Sequence, residues 1–337
     1  AVRDGQSMTP APDDADAQLR PGVQALAFHA LRWLGRAEAL RQQLAKRPPP
    51  PEADALLCVA LALACSEEDA PYTAHTLVDQ AVEAAKRSDA TLHQASFING
   101  CLRRFLRERD ALVAATDDDP VARWNHPAWW VQRLRKDHPQ HWEQILQANN
   151  AHAPMVLRVN EQKCTVAQYL HALGAINLGA NAVGEHGVAL HQAVPVQSLP
   201  HFAEGWVSVQ DAAAQQAAPL LLQGLDLSQP LRVLDACAAP GGKSAAIIAA
   251  TGGKALLTAT DLHEHRLPTL KENLDRQGSP FVRTAQADWS LPCRTEWKGR
   301  FDAVLLDVPC SNTGVIQRRV DVRWRLTPEE IRRLAAL

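Results

Sequence analysis

The stretch Asp235-Ala-Cys-Ala-Ala-Pro-Gly-Gly-Lys-Ser244 joins a short apolar run, Arg232-Val-Leu-Asp235, to an alanine-rich segment with the composition of a helix. When a strand, a glycine-containing loop and a helix follow one another, backbone N–H groups and the helix N-terminus converge on one point. The adjacent glycines at 241 and 242 let the backbone come close to a ligand there. The stretch therefore predicts a ligand-binding loop at the carboxyl end of a β-strand.

Two common nucleotide-binding loops do not match this stretch. A phosphate-binding P-loop needs a glycine six residues before its lysine, and the residue six before Lys243 is Cys237. A dinucleotide-binding loop needs the spacing G-x-G-x-x-G, whereas this loop has only the pair Gly241-Gly242. A glycine-rich turn with a purely structural role remains the alternative for the loop taken alone.

Strand and helix segments alternate after residue 220, which predicts a parallel, doubly wound α/β sheet. The predicted strands are residues 232–235, 255–260, 282–286 and 301–306. Asp261 follows the second strand, Asp288 the third and Asp307 the fourth. Each aspartate alone could be a helix N-cap or a turn residue. Their shared register with the loop favours a nucleoside-binding crevice, in which Asp261 accepts hydrogen bonds from ribose hydroxyls.

The composition upstream of this sheet predicts two further domains. Residues 20–112 form successive amphipathic segments rich in Ala, Leu, Arg and Glu, which indicates an all-α domain over residues 1–115. The acidic stretch Thr116-Asp-Asp-Asp-Pro120 indicates a linker. Possible strands at 155–159 and 205–209 predict a small α+β module over residues 120–215, leaving 216–337 for the α/β domain.

Charge and cysteine usage narrow the classes of partner. The formal net charge of −2 gives no global basic field, so nucleic-acid binding would need local patches. Two arginine-rich stretches qualify, although either could be a solvated helix face. They are Arg103, Arg104, Arg107 and Arg109, and Arg318, Arg319, Arg323, Arg325, Arg332 and Arg333. Seven cysteines without a CxxC pair argue against a disulfide framework and against a metal site.

Neither a signal peptide nor an apolar run long enough to span a membrane is found in the sequence, so we expect a cytoplasmic protein with no membrane partner.

The residues from 235 to 243, together with Leu306-Asp-Val-Pro-Cys-Ser-Asn-Thr-Gly-Val-Ile-Gln-Arg-Arg319, resemble the RNA 5-methylcytosine methyltransferase family. The stretches 126–135, 149–160 and 205–211 look like the bacterial members that act on 16S ribosomal RNA, and the similarity runs from about residue 20 to the end. The resemblance implies S-adenosylmethionine as cofactor and 16S ribosomal RNA as partner. It also implies that the fold combines a NusB-like all-α N-terminal domain, a small α+β RNA-binding module and a Rossmann-like α/β methyltransferase domain.

The resemblance also implies which residues of this chain form the site, by their positions in the two motifs. The methionine end of the cofactor would lie along Cys237, Ala238, Ala239, Pro240, Gly241, Gly242 and Lys243. Asp261 would hold the ribose and Asp288 would lie beside the adenine. Asp307 would contact the amino end of the cofactor or the target base, and Arg318 and Arg319 would contact the RNA.

The resemblance also implies the chemistry. Cytosine C5 is too weak a nucleophile to take a methyl group unaided, so these enzymes first add a cysteine thiolate to C6. In DNA cytosine methyltransferases the Pro-Cys cysteine attacks, whereas in the RNA family a later Thr-Cys cysteine attacks and the Pro-Cys thiol assists product release. The Pro-Cys cysteine here is Cys310, and no cysteine follows it. We therefore expect Asp307 and Cys310 to be catalytic, with Cys310 first as a release helper and second as the nucleophile; a buried structural cysteine is the alternative.

The end of the sequence adds a further expectation. Thr327-Pro-Glu-Glu330 has the composition of a helix N-terminus, and the sequence stops about two turns later. The expectation is a fragment that lacks the last strands of the sheet and the usual nucleophile, and that is inactive unless a partner or altered chemistry replaces that nucleophile. The main alternative is a non-catalytic RNA-binding protein that keeps the cofactor-binding fold.

Overall fold

The computed structural model describes residues 2, 5–8, 19–66, 70–279, 281–292 and 297–336. Its internal contacts divide the chain into two compact units. The helical unit comprises Ala1–Ala153 and Cys310–Ala336, and the sheet unit comprises Pro154–Pro309. No helix in the described ranges is both long and apolar enough to cross a membrane.

The elements follow the predicted order of helices first and alternating strands and helices later. The helices are α1 (Arg20–Arg32), α2 (Leu34–Leu44), α3 (Pro51–Ala64), α4 (Ala74–Lys86), α5 (Asp89–Leu92), α6 (Ala95–Arg107), α7 (Arg109–Ala114), α8 (Pro120–Trp124), α9 (Ala128–Asp137), α10 (Trp142–Asn150), α11 (Val166–Ala175), α12 (Ala212–Gln215), α13 (Ala217–Leu222), α14 (Gly242–Ala250), α15 (Leu267–Arg276), α16 (Val322–Arg325) and α17 (Pro328–Ala335). The strands are β1 (Met155–Val159), β2 (Ala180–Val183), β3 (Gly187–Leu190), β4 (Val207–Val209), β5 (Arg232–Asp235), β6 (Leu256–Asp261), β7 (Arg283–Gln286) and β8 (Ala303–Leu305). The multidomain fold with a helical N-terminal region and an α/β C-terminal region is thus confirmed.

The helical unit is built on a core of leucine, alanine and aromatic side chains from α1 to α7. Leu40, Leu57, Ile98 and Phe105 are fully buried in it. Val320, near the end of the chain, is buried in the same cluster. The segment that precedes α16 is therefore part of the helical core, which the sequence pattern does not predict.

Arg323 corrects one part of the predicted RNA surface. Its side chain is wholly buried, and its guanidinium donates to the backbone carbonyls of Asn125 (3.2 Å) and Asn149 (2.7 Å) and to the side chain of Asn150. Burial, with a smaller effect of nearby Arg32, lowers its pKa to about 9. Arg323 anchors α16 within the helical unit, and the hypothesis that it contacts RNA is wrong.

Other arginines of the two basic stretches have local partners. Arg325 pairs with the buried Asp321 at 3.1 Å. The remaining pairs are Arg332 with Glu329, Arg333 with Glu330, and Arg104 with Glu108. Exposed pairs of this kind contribute little stability, but they reduce the positive charge offered to a polyanion.

The first half of the sheet unit is a four-stranded antiparallel sheet in the order β2-β3-β1-β4. The helix α11 covers one face and packs Tyr169 and Leu173 against Leu157 and Val188. A capping box at Thr165 starts this helix. The strands β2 and β3 have only four residues each, β2 being largely exposed and β3 mostly buried. Both are too short to show the alternation by which a strand is predicted.

The second half is a four-stranded parallel sheet in the order β7-β6-β5-β8. The strand order reverses at β5, which pairs with β6 on one side and β8 on the other. Ligands of open α/β sheets bind at such a reversal, outside the carboxyl ends of the strands. The loop after β5 therefore lies where a cofactor is expected. The predicted domain boundaries near residues 115–120 and 215 stay a prediction.

Candidate functional site

The loop between β5 and α14 is fixed to the neighbouring strand. The backbone N–H of Ala238 donates to the carbonyl of Thr260 on β6 at 2.7 Å, and the N–H of Gly241 donates back to the carbonyl of Ala238 at 2.7 Å. The peptide bond between Ala239 and Pro240 is cis. Helix α14 then starts at Gly242, so its N-terminal N–H groups open on the carboxyl edge of the sheet.

Glycine is required at position 241 for two reasons. Its φ of +103° is rarely adopted by residues with a side chain, and a Cβ atom there would lie 2.9 Å from Leu270 Cδ1. At Gly242 a Cβ atom would be 3.9 Å from the Gln210 side chain, an ordinary contact. The turn thus packs closely on its inner side, and small residues keep its backbone accessible to a ligand.

Helix α15 and Asp261 hold the loop from the other side. Arg266 donates to the carbonyl of Ala239 at 2.8 Å and Asn273 donates to that of Pro240 at 3.0 Å. The buried Asp261 carboxylate accepts from the N–H of Ala239 at 3.3 Å and pairs with Arg266 at 3.1 Å. Asp261, the predicted ribose ligand, therefore lies against the loop. It also forms an ion pair with Arg266, which the sequence does not predict.

Asp288 lies in the loop after β7, beside a small aromatic cavity of about 120 Å³. Trp289 and Trp297 line the cavity with it. The carboxylate accepts from the backbone N–H and the hydroxyl of Ser290, which together lower its pKa. The predicted place of Asp288 beside an adenine stays a prediction.

Asp307 forms an ion pair with Lys243 across the carboxyl edge of the sheet. The pair joins the first turn of α14 to the residues just after β8, and half of the Asp307 side chain is exposed. Both residues are predicted to lie in the site, but their pairing could not be predicted because 64 positions separate them.

The two cysteines of the motifs have different surroundings. Burial raises the pKa of the half-buried Cys237 thiol, and the carboxylates of Asp261, Asp235 and Asp307 raise it further. A thiol with a raised pKa is a poor nucleophile at neutral pH. Cys310 belongs to the helical unit and is exposed, with its sulfur accepting from the N–H of Asn312 at 3.4 Å. The exposure of Cys310 excludes the alternative of a buried structural cysteine.

Of the two predicted RNA-contacting arginines, Arg318 is half-buried and Arg319 is exposed.

Asp235, the first residue of the motif, is a titratable residue beneath the loop. The sequence alone indicates no separate role for it. It is almost fully buried and accepts a hydrogen bond of 2.6 Å from the Ser244 hydroxyl. Burial raises its pKa from 3.8 to about 6, although the Ser244 bond opposes the rise. Ser244 contacts Asp235 because the first turn of α14 lies beside the end of β5, an arrangement that the sequence alone does not show.

The raised pKa of Asp235 predicts a pH dependence of stability. Between pH 4 and pH 6 the folded protein binds the proton more tightly than the unfolded chain, so this contribution is lost as pH rises through that window. Asp235→Asn keeps an acceptor for Ser244 and removes the titration. In urea unfolding, we expect the free energy of the variant relative to the unmodified protein to rise by about 2 kcal/mol from pH 4.5 to pH 7.

Asp288→Asn is the matched control, because the pKa of this exposed carboxyl is lowered and it finishes titrating below that window. A difference between Asp235→Asn and the unmodified protein that does not change with pH would contradict the assignment.

Comparison with known proteins yields matches along most of the chain. The sequence profile of the NusB family matches residues 3–107, that of the ferredoxin-like domain of RsmF/B-like methyltransferases matches 126–197, and that of 16S rRNA methyltransferase RsmB/F matches 222–337. The chain is 39% identical to ribosomal RNA small subunit methyltransferase B of Pseudomonas putida, over 96% of this chain and 74% of that protein. It is 37% identical to the Vibrio cholerae protein of the same name, over 99% of this chain and 76% of that protein.

Two solved structures share the fold. PH0851 superposes with a TM-score of 0.74 at 20% identity, over 99% of this chain and 78% of PH0851. NSun6 from Pyrococcus horikoshii, solved with SFG, superposes with a TM-score of 0.51 at 15% identity, over 62% of this chain and 77% of NSun6.

Proposed function

Because the chain belongs to the RsmB/F family of 16S rRNA methyltransferases, we propose that it transfers a methyl group from S-adenosylmethionine to C5 of a cytosine in 16S ribosomal RNA. The observation that carries the proposal is the convergence of the Gly241-Gly242 turn, Asp261 and the Lys243–Asp307 pair at the carboxyl edge of the parallel sheet. This convergence provides a nucleoside-binding crevice next to an acid that can face a base.

The residues present fit S-adenosylmethionine, which when bound supplies an electrophilic methyl group. The glycine turn leaves room for a ligand against the backbone, and the N-terminus of α14 offers N–H donors to its carboxylate. Asp261 would accept hydrogen bonds from the ribose, and the aromatic cavity beside Asp288 would take the adenine. The structural neighbour NSun6 was solved with SFG, an analogue of this cofactor, which supports the same assignment here.

The target base would react through a covalent adduct. A cysteine thiolate would bond to C6 of the cytosine, and the electron pair of the C5–C6 double bond would move to C5, which would take the methyl group that the cofactor supplies. A base then removes the C5 proton, the double bond re-forms and the thiolate leaves. Asp307, held by Lys243, would accept a hydrogen bond from the amino group of the cytosine and, carrying a proton, would donate one to N3, which stabilises the negative charge that develops there on attack.

Cys310 would act in the release step, and its exposure supports a chemical role. A cytosine stacked in a helix could not reach the crevice, so an unpaired loop of the RNA is the expected substrate. Arg319 and Arg318 would contact phosphates of that RNA.

The test combines two readouts on unmodified 16S rRNA: transfer of labelled methyl, and protein–RNA complexes that survive denaturation. If Cys310 assists release of an adduct that another thiol forms, Cys310→Ala accumulates a methylated covalent complex with the RNA. If Cys310 is the nucleophile, the variant loses both transfer and complex. Cys101→Ala, a buried cysteine of the helical unit, is the control and should behave as the unmodified protein. Cofactor and RNA binding with neither readout would favour the non-catalytic RNA-binding protein and overturn the proposal.

A further inference from the structure

Arg158 is a buried cation in the antiparallel part of the sheet unit. It lies on β1, with 4% of its surface exposed. Its Nε donates to Gln210 Oε1 at 2.7 Å, and its terminal nitrogen donates to Gln277 Oε1 at 2.5 Å and to Ser208 Oγ at 3.3 Å. One guanidinium thus holds two glutamines that belong to different parts of the sheet unit.

Gln210 connects Arg158 to one side of the loop between β5 and α14, which we call the cofactor loop. Its side chain lies within contact distance of the Gly242 position, and its amide nitrogen also donates to the carbonyl of Ala214 at 3.4 Å. The bond from Arg158 and the bond to Ala214 together fix the amide plane. The Gln210 side chain therefore packs beside Gly242, the first residue of α14.

Gln277 connects Arg158 to the other side of the cofactor loop. It follows the last residue of α15, and its backbone carbonyl accepts a bond of 3.0 Å from Asn160, two residues after Arg158. The same helix places Leu270 and Leu274 against Gly241, and Asn273 on the carbonyl of Pro240. A shift of the C-terminal end of α15 would therefore move the side chains that hold the turn.

The bonds of Arg158 go to neutral acceptors, and burial with nearby Arg276 lowers its pKa to about 10. A charge is expensive to bury when its partners are neutral, so an apolar residue would be the better choice if packing alone were needed. The planar guanidinium can instead hold two hydrogen-bond partners, Gln210 and Gln277, in fixed positions at the same time.

We propose that Arg158 is a positioning residue for the cofactor loop, holding the Gly241-Gly242 turn between Gln210 and α15. The proposal rests on the proposed cofactor site and adds a dependence of cofactor affinity on a residue of the antiparallel sheet.

Arg276 provides the matched control. It crosses between the same two parts of the sheet unit, donating to the carbonyls of Phe202 (2.8 Å) and Val207 (3.0 Å), with its guanidinium 4.2 Å from the Phe202 ring centre. Its side chain touches neither Gln210 nor Gln277 in the described contacts. Arg276→Met therefore weakens the contact between the two parts, while the bonds of Gln277 with Arg158 and Asn160 still hold the C-terminal end of α15.

The experiment compares Arg158→Met, Arg158→Lys and Arg276→Met with the unmodified protein, at a temperature where all four are folded. The first readout is the dissociation constant of S-adenosylhomocysteine by calorimetry. The second is hydrogen exchange of the amides of residues 238–245 in the ligand-free protein. We expect Arg158→Met to bind about tenfold more weakly and to exchange faster over this range, and Arg158→Lys to fall in between. Arg276→Met should lower the unfolding temperature but change both readouts less than twofold.

Normal affinity and normal exchange in folded Arg158→Met would overturn the proposal, and so would equal effects in Arg276→Met, which would make Arg158 only part of the packing. If the unmodified protein does not bind S-adenosylhomocysteine, the cofactor assignment fails, and the exchange readout still decides whether Arg158 holds the loop.

Discussion

Asp307→Ala is expected to lower the rate of methyl transfer about 100- to 1000-fold, the usual cost of removing a group that stabilises developing charge. The carboxylate lies just after β8 and is held by Lys243, so its loss removes the only acid that we assign to the target base. Affinity for S-adenosylhomocysteine should change much less than the rate. Single-turnover methyl transfer and calorimetry measure the two effects separately.

Asp302→Ala is the control for this variant. Asp302 lies at the other end of the same strand and forms an ion pair with Arg232 at 2.7 Å, so its loss removes a similar pair away from the carboxyl edge. The rate should stay within twofold of the unmodified protein. Equal losses in the two variants would mean that Asp307 matters through the stability of β8, which would contradict the role we assign to it.

Gly241→Ala is expected to weaken cofactor binding about 5- to 150-fold, the range that corresponds to about 1–3 kcal/mol of backbone strain. The φ of +103° disfavours any side chain, and the added Cβ would lie 2.9 Å from Leu270 Cδ1. Either the turn opens or Leu270 moves, and both change the surface that faces the cofactor. Calorimetry with S-adenosylhomocysteine measures the effect.

Gly252→Ala gives the matched comparison at the other end of α14. Its φ of +59° also disfavours a side chain, but a Cβ there meets no atom within 4 Å. It should lose some stability and keep its cofactor affinity. Unchanged affinity in Gly241→Ala would argue that the loop does not bind the cofactor.

The parallel sheet and the residues of its candidate site were predictable because their sequence signals are local. A strand, a glycine turn and an aspartate at the end of each strand are patterns within a few residues, and a parallel sheet brings those strand ends together. Asp261 and Asp307 lie at this edge for that reason. The strand β8 is shorter than predicted, since the Asp302 side chain bonds the backbone N–H of Arg232 where the strand would begin.

The polar contacts between distant parts of the chain could not be predicted in this way. Arg323 looks like a member of an exposed basic stretch, yet backbone carbonyls more than 170 residues away accept its hydrogen bonds. Arg158 bonds Gln277 across 119 residues. The acceptors of both arginines are far away in sequence, so no local pattern separates them from solvent-exposed arginines.

The most direct test of the central claim is nucleoside analysis of 16S rRNA that lacks its own modifications, after incubation with the protein and S-adenosylmethionine. The account predicts that 5-methylcytosine appears, at one cytosine per RNA molecule, and depends on Asp307. Methylation at a ring or amino nitrogen, or no methylated nucleoside from a protein that binds both cofactor and RNA, would contradict it.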